Sequence, residues 1–288
     1  MTTLDPTPTA APRVVRTRAE LAEALAPAGR RAVVMTMGAL HEGHLSLVRR
    51  ARELADQVVV TIFVNPLQFG AGEDLERYPR DLEGDVRLVA AAGADLVFAP
   101  DVATVYPTEP VVTVHAGAVA DVLEGAVRPG HFDGVLTVVL KLLHLTRPDI
   151  ALFGQKDAQQ LAAIRRMVRD LDVPVEVVAV PIVRDDDGVA LSSRNAYLDG
   201  EQREHARALY RAVLAAQAAA ESGSGAVAVR RAAQEVLAAE PGVATDYVAL
   251  VDADTMTEVG EDHQGPALLA LAARVGTTRL IDNTMVVL

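Results

Sequence analysis

From about residue 30 the chain alternates short runs of β-branched and other apolar residues with longer stretches whose apolar positions recur at helical spacing. The runs at 32–36, 58–64, 95–99, 111–114, 150–153 and 175–180 predict strands, and 44–55, 82–92, 134–145 and 158–170 predict helices. Strands separated by helices of that length are the pattern of a parallel sheet with crossover helices, so the expected fold is a Rossmann-like doubly wound α/β domain. In such sheets ligands lie beyond the carboxyl ends of the strands. The turns after Thr36, Val64 and Phe153 are therefore where chemistry is sought.

After Pro181 the pattern changes. The runs 182–185 and 189–192 flank Asp186-Asp187-Gly188, a hairpin signal, and Ala-rich helical stretches follow at 201–221 and 227–239. Strand-like runs at 247–251, 267–273 and 279–281 complete a smaller α+β unit. The reading is two domains: residues 1–181, with 1–12 as a flexible lead-in rich in Thr, Pro and Ala, and residues 182–288 as a C-terminal lid. Ser222-Gly223-Ser224-Gly225 is the clearest linker.

Composition narrows the chemistry. Lys and Arg number 27 against 39 Asp and Glu, a net charge of −12, which opposes binding to nucleic acid or an anionic membrane. A small anion senses only charges within a Debye length, so ATP is compatible with this balance. Cysteine is absent, which removes disulfides, thiolate nucleophiles and Cys-based zinc sites. No apolar run reaches the roughly 18 residues of a membrane span. A cytoplasmic protein is expected.

The strongest motif is Met37-Gly38-Ala39-Leu40-His41-Glu42-Gly43-His44, where the first strand gives way to a helix. Gly38 and Gly43 let backbone approach a nucleotide, a helix N-terminus offers N–H groups, and His41 and His44 can donate to phosphate oxygens. The histidines are three apart, so the HExxH zinc motif does not apply. Phe153-Gly154-Gln155-Lys156-Asp157 repeats the strand-to-helix arrangement: Lys156 suits a phosphate and Asp157 a helix cap. Leu191-Ser192-Ser193-Arg194-Asn195 offers two hydroxyls and a guanidinium to a pyrophosphate. Each of these two could alone be a capped turn; three oxyanion-capable loops at sheet ends together mark an anion site. Asn65 and Gln68, after the second strand, suit a hydroxyl or carboxylate, and Arg128 and His131, just before an apolar helix, fit a capping turn or a substrate-binding loop, the second being the reading taken. The stretch 223–228 matches a relaxed dinucleotide fingerprint but joins two helices, and residues 185–188 lack the spaced ligands of a calcium loop. A Walker A lysine is missing as well.

The ordered set TMGALHEGH, IFVNPLQF, EDLERYPR, RPGHFDGV, FGQKD, LSSRN and GTTRLIDN resembles the pantothenate synthetase (pantoate–β-alanine ligase) family of the HxGH nucleotidyltransferases, over about residues 33–283. The resemblance implies a two-step ligase. Pantoate and ATP would give pantoyl-adenylate and pyrophosphate, and β-alanine would then give pantothenate and AMP. It implies magnesium and a homodimer. It places residues 37–44 on ATP, with His44 as proton donor and His41 beside it, and places Lys156, Ser192, Ser193 and Arg194 on the triphosphate. Gly154, Gln155, Asp157, Val183 and Leu191 would line the nucleotide, and Gln68 and Gln160 would bind pantoate. Asp85 is the choice near magnesium.

The family usually has Pro at Met35, Glu at Gln155, an aromatic at Ala158 and often an acid at Gly84. The rival enzyme is another HxGH nucleotidyltransferase, one acting on a phosphorylated precursor, which would need more basic groups and no Gln68–Gln160 pair. A class I aminoacyl-tRNA synthetase is disfavoured by the acidic charge. The non-enzyme rival is a nucleotide-binding protein without catalysis.

Overall fold

The computed structural model describes residues 11–25, 29–70 and 75–288. Residues 1–10 of the expected lead-in, and Glu73 and Asp74 of the EDLERYPR motif, lie outside them. Among the described residues the elements run β1 (Arg13–Val15), α1 (Arg18–Ala24), β2 (Arg31–Thr36), α2 (Glu42–Leu54), β3 (Gln57–Ile62), α3 (Leu82–Ala92), β4 (Leu96–Phe98), α4 (Val102–Val105), α5 (Leu123–Val127), α6 (His131–Thr146), β5 (Ile150–Gly154), α7 (Ala158–Asp170), β6 (Glu176–Val180), α8 (Gly200–Glu221), α9 (Ala226–Ala238), β7 (Val243–Val251), β8 (Pro266–Val275) and β9 (Thr278–Val287).

Two compact units are distinguished. The first comprises Met1–Ala116, Arg128–Gly154 and Met167–Val180; the second comprises Gly117–Val127, Gln155–Arg166 and Pro181–Leu288. Everything after Pro181 thus falls in the second unit, joined there by two earlier segments.

The first unit is built on a parallel sheet in the order β1-β4-β3-β2-β5-β6. The direction of winding reverses between β2 and β5, the switch point at which doubly wound sheets bind ligands. Central strands read as continuous apolar runs because helices cover both faces: Val33, Val34, Val58, Val59 and Val60 are all fully buried. Leu45, Leu47, Val48 and Ala51 of α2 pack into the same core as Val34 and Val60, which seats α2 on the sheet and points its N-terminus at the strand ends.

The sequence pattern does not predict β1 and α1. A strand of three residues is too short to show a period, while the capping box of Thr17 and Glu20 is the available signal for α1. The strand expected at 111–114 does not form. Val111 and Val112 are 96% and 87% exposed, and Val114 N–H donates to Thr137 Oγ1 instead of to a strand. A β-branched run pairs only where a neighbouring strand is in reach.

In the second unit β7, β8 and β9 form an antiparallel meander, and one face buries Leu269, Leu271 and Ala273 with Leu209, Val213 and Val229 of α8 and α9. The expected hairpin is present as a bridge between Arg184 and Ala190, closed by Asp185 N–H to Val189 O and Leu191 N–H to Val183 O. Gly188 makes the turn at φ +89°, and a Cβ there would strike the Tyr210 ring at 2.0 Å.

Candidate active site

The HxGH loop is held at the end of β2 by its own backbone. Gly38 takes φ +84° and Ala39 φ +51°, folding the chain so that His41 becomes the N-cap of α2. Asp85, 4% exposed, accepts the Ala39 N–H at 3.1 Å and the Leu40 N–H at 2.8 Å. Asp85, the residue expected beside magnesium, thus anchors the loop through two amides, and it also lines the cavity at the strand ends. Gly84, where the family often has an acid, lies in the first turn of α3 and gives its N–H to the N-cap Asp81 at 2.9 Å.

The two histidines cap the helix reciprocally. Gly43 N–H donates to His41 Nδ1 at 3.2 Å, and His41 N–H donates to His44 Nδ1 at 3.4 Å; the ring centroids are 4.2 Å apart. An imidazole nitrogen that accepts carries no proton, so each neutral ring holds its hydrogen on Nε2. Both rings thus turn Nδ1 to the backbone at the positive end of α2, where a helix N-terminus suits phosphate oxygens.

Beside this loop the turn after β3 forms a 3₁₀ turn, Pro66–Gln68. Gln68 Nε2 lies 3.1 Å from Met37 Sδ, which joins it to the HxGH loop. Its backbone carbonyl accepts from His131 Nδ1 at 2.9 Å and from Arg128 Nη2 at 3.4 Å, and Arg128 Nη1 is 2.9 Å from His131 Nε2. Gly134 allows the start of α6 to approach: a Cβ there would lie 2.2 Å from Leu67 O. Asn65, expected as a substrate contact, is only 1% exposed. Its side chain is consumed by the carbonyl of Gly134, the side chain of Gln68, the N–H of Leu67 and the hydroxyl of Tyr106, so it positions the turn and does not reach a ligand. A cavity of about 320 Å³ opens at these strand ends, bordered by Met37, Gly38, Phe63, Arg80 and Asp101.

The other expected residues, apart from Gly154 at the end of the first unit's segment, belong to the second unit. Gln155–Asp157 form a 3₁₀ turn that runs into α7, with the Lys156 side chain mostly buried and its Nζ 4.0 Å from the exposed carboxylate of Asp157. Gly154 closes β5, and Gln160 is half-buried one turn into α7. Ser192 caps a 3₁₀ turn by accepting Arg194 N–H at 3.2 Å, while Ser193 and Arg194 are exposed and Val183 and Leu191 half-buried.

Residues given no role by sequence reading hold these loops in register. Asn283 Nδ2 donates to the carbonyls of Gln155 at 3.0 Å and Lys156 at 2.8 Å. Its neighbour Asp282 takes the Arg184 guanidinium bidentately at 2.6 and 2.8 Å, and Arg184 reaches back to Gly188 O. Farther along the same strand Arg279 grips Glu124 and Asp246. Tyr247 donates to Glu124 at 2.8 Å; burial, and then that carboxylate, hold its phenol well above the ordinary range. The available signal was the GTTRLIDN stretch itself, whose polar residues sit inside a buried strand.

A family model described as pantoate-beta-alanine ligase matches residues 13–285. The chain belongs to the pantoate–β-alanine ligase family. Pantothenate synthetase of Thermobifida fusca is 57% identical over 281 residues, covering 94% of this chain and 95% of that protein. The Streptomyces coelicolor enzyme is 55% identical, with 96% of each covered. Among solved structures, pantothenate synthetase from Thermus thermophilus superposes with a TM-score of 0.90 at 51% identity, covering 94% of this chain and 98% of that one. A pantoate-β-alanine ligase from Francisella tularensis, complexed with β-γ ATP and β-alanine, gives a TM-score of 0.78 at 30% identity over 96% and 98% of the two chains. These family members share both the parallel sheet and the small antiparallel sheet. No helix among the described residues is long and apolar enough to cross a membrane.

Proposed function

We propose that this chain condenses pantoate with β-alanine at the expense of ATP through a pantoyl-adenylate. The observation that carries the reading is the HxGH loop: two imidazoles capping one helix N-terminus, joined to the Gln68 amide through Met37. In the first step a pantoate carboxylate oxygen attacks the α-phosphorus in line, and pyrophosphate leaves. In the second the β-alanine amine attacks the acyl carbon, AMP leaves with the bonding pair, and the nitrogen loses a proton. The adenylate is needed because AMP departs far more readily than oxide. His44, with His41 beside it, stabilises charge growing on the phosphates, an electrostatic and positioning role. Lys156, Ser192, Ser193 and Arg194 hold the departing pyrophosphate, and Gln68 and Gln160 hold pantoate. Arg128 and His131 secure the Gln68 backbone.

Among the described residues no cluster of three or more His, Asp or Glu could hold a metal. Magnesium would accompany the triphosphate, which supplies most of its oxygen ligands, with Asp85 in the cavity lining as the candidate protein carboxylate. No step is assigned to a protein-held ion.

Pantoate-dependent exchange of labelled pyrophosphate into ATP, with magnesium and without β-alanine, tests the first half-reaction alone. Exchange is the expected result. Its absence in folded protein that still binds ATP would transfer the reading to a different acid or to a binding protein. A homodimer acting in the cytoplasm completes the proposal. Sedimentation equilibrium should then give twice the 30.5 kDa chain mass, and a single-chain mass at micromolar concentration would remove the dimer.

A further inference from the structure

Behind Gln68 stands a chain of hydrogen bonds whose polarity is fixed by groups that cannot reverse. Leu67 N–H can only donate, so the atom of Asn65 that meets it at 3.3 Å is Oδ1. Gly134 C=O can only accept, so the atom 3.1 Å from it is Nδ2. The Tyr106 hydroxyl, 2.9 Å from Oδ1, must then be a donor. Nδ2 also lies 3.1 Å from the Gln68 side chain, and the Gln68 atom facing it must therefore be Oε1. What remains is the NH₂ edge of Gln68, turned toward Met37 and the HxGH loop.

We propose that Tyr106 is a positioning residue for the ligase reaction, acting through Asn65 to fix the Gln68 amide with its NH₂ edge toward the substrate. The inference rests on the reading in which Gln68 meets the acid substrates. It adds that the site there is a donor, which selects carboxylate or hydroxyl oxygen and rejects an N–H or ammonium group. Tyr106 is suited to the task. It is 8% exposed, its ring packs on Phe63 with centroids 6.1 Å apart, and Lys141 Nζ lies 5.3 Å from the ring centre. Burial pushes its phenol up to about 12, so the hydroxyl keeps its proton throughout any ordinary assay range. Without that hydroxyl, Asn65 Oδ1 retains only the longer bond from Leu67, and the hold on Gln68 loosens.

Four variants separate the possibilities, each read as KM for pantoate, β-alanine and ATP, with thermal unfolding as the check on folding. Tyr106→Phe keeps the ring and removes one neutral hydrogen bond, so KM for pantoate or β-alanine should rise about fivefold to tenfold while KM for ATP stays within about twofold. The same change in a Gln68→Ala background should add nothing, because the two residues act as one unit. Gln68→Glu should bind the acids no better than Gln68→Ala, since a carboxylate oxygen then replaces the NH₂ edge. An undiminished Tyr106→Phe effect without Gln68 would make the tyrosine merely structural and overturn the proposal. So would Gln68→Glu binding near the wild-type level, which would mean that an acceptor edge faces the substrate. If Gln68→Ala itself leaves both acid KM values unchanged, it is the underlying assignment of Gln68 that falls, and the proposal falls with it.

Discussion

Replacing Lys156 by alanine is expected to slow pantoate-dependent pyrophosphate exchange by about 10²–10³-fold, or about 3–4 kcal/mol of transition-state stabilisation, the usual cost of removing one preorganised group from developing charge. The Lys156 side chain is 19% exposed, on a turn whose two carbonyls are pinned by Asn283, so its backbone is held in place. Its ion pair with Asp157 is long and half in solvent, and contributes little to folding. The melting temperature of the variant should accordingly stay near that of the parent, which separates loss of chemistry from loss of structure. Lys156→Arg should recover only part of the rate, since a planar fork does not replace a compact point charge. Single-turnover adenylation is the measurement. A Lys156→Ala rate within about threefold of the parent would take this residue off the triphosphate.

Asp282→Ala should be the most destabilising single change in the second unit. Asp282 is 2% exposed and holds both Arg184 nitrogens, and it also accepts Asn283 N–H at 2.7 Å. Removing it leaves a mostly buried guanidinium uncompensated, a loss of about 3–5 kcal/mol and a fall in melting temperature of roughly 10 °C. The double variant Arg184→Met with Asp282→Leu should regain much of that loss, because no orphan charge remains. Chemical denaturation with intrinsic tyrosine fluorescence checks both. A single variant as stable as the parent would show that the pair carries no weight in the fold. The expected change extends to function, since this pair fixes the hairpin ahead of Ser192 and its neighbour Asn283 fixes Lys156.

The periodic part of the fold was legible along the chain. The helix at 82–92 is found between those same residues, as is the one at 158–170, and β2 and β5 lie within one residue of where their apolar runs placed them. Long segments with one buried face carry their period in sequence because burial repeats with the geometry of the element. The run at 111–114 shows the limit: valines favour a strand, but no neighbouring strand pairs with them.

The site divides in the same way. Residue order alone establishes which groups are available and where the chain turns: His41 and His44 at a strand-to-helix junction, Lys156 at another, Gln68 after a buried strand, and a family that these motifs name together. Which of them face one another is decided only in three dimensions. Asn65 has the right chemistry for a site but is spent on neighbouring amides, a carbonyl and a tyrosine hydroxyl, because a turn folded against a sheet must satisfy its buried polar groups before any ligand arrives. Asn283 could not be assigned from local pattern, since its partners lie 127 and 128 residues away. Hydrogen-bond polarity is likewise a property of neighbours in space: the edge that Gln68 presents follows from one N–H and one carbonyl that the fold brings beside Asn65.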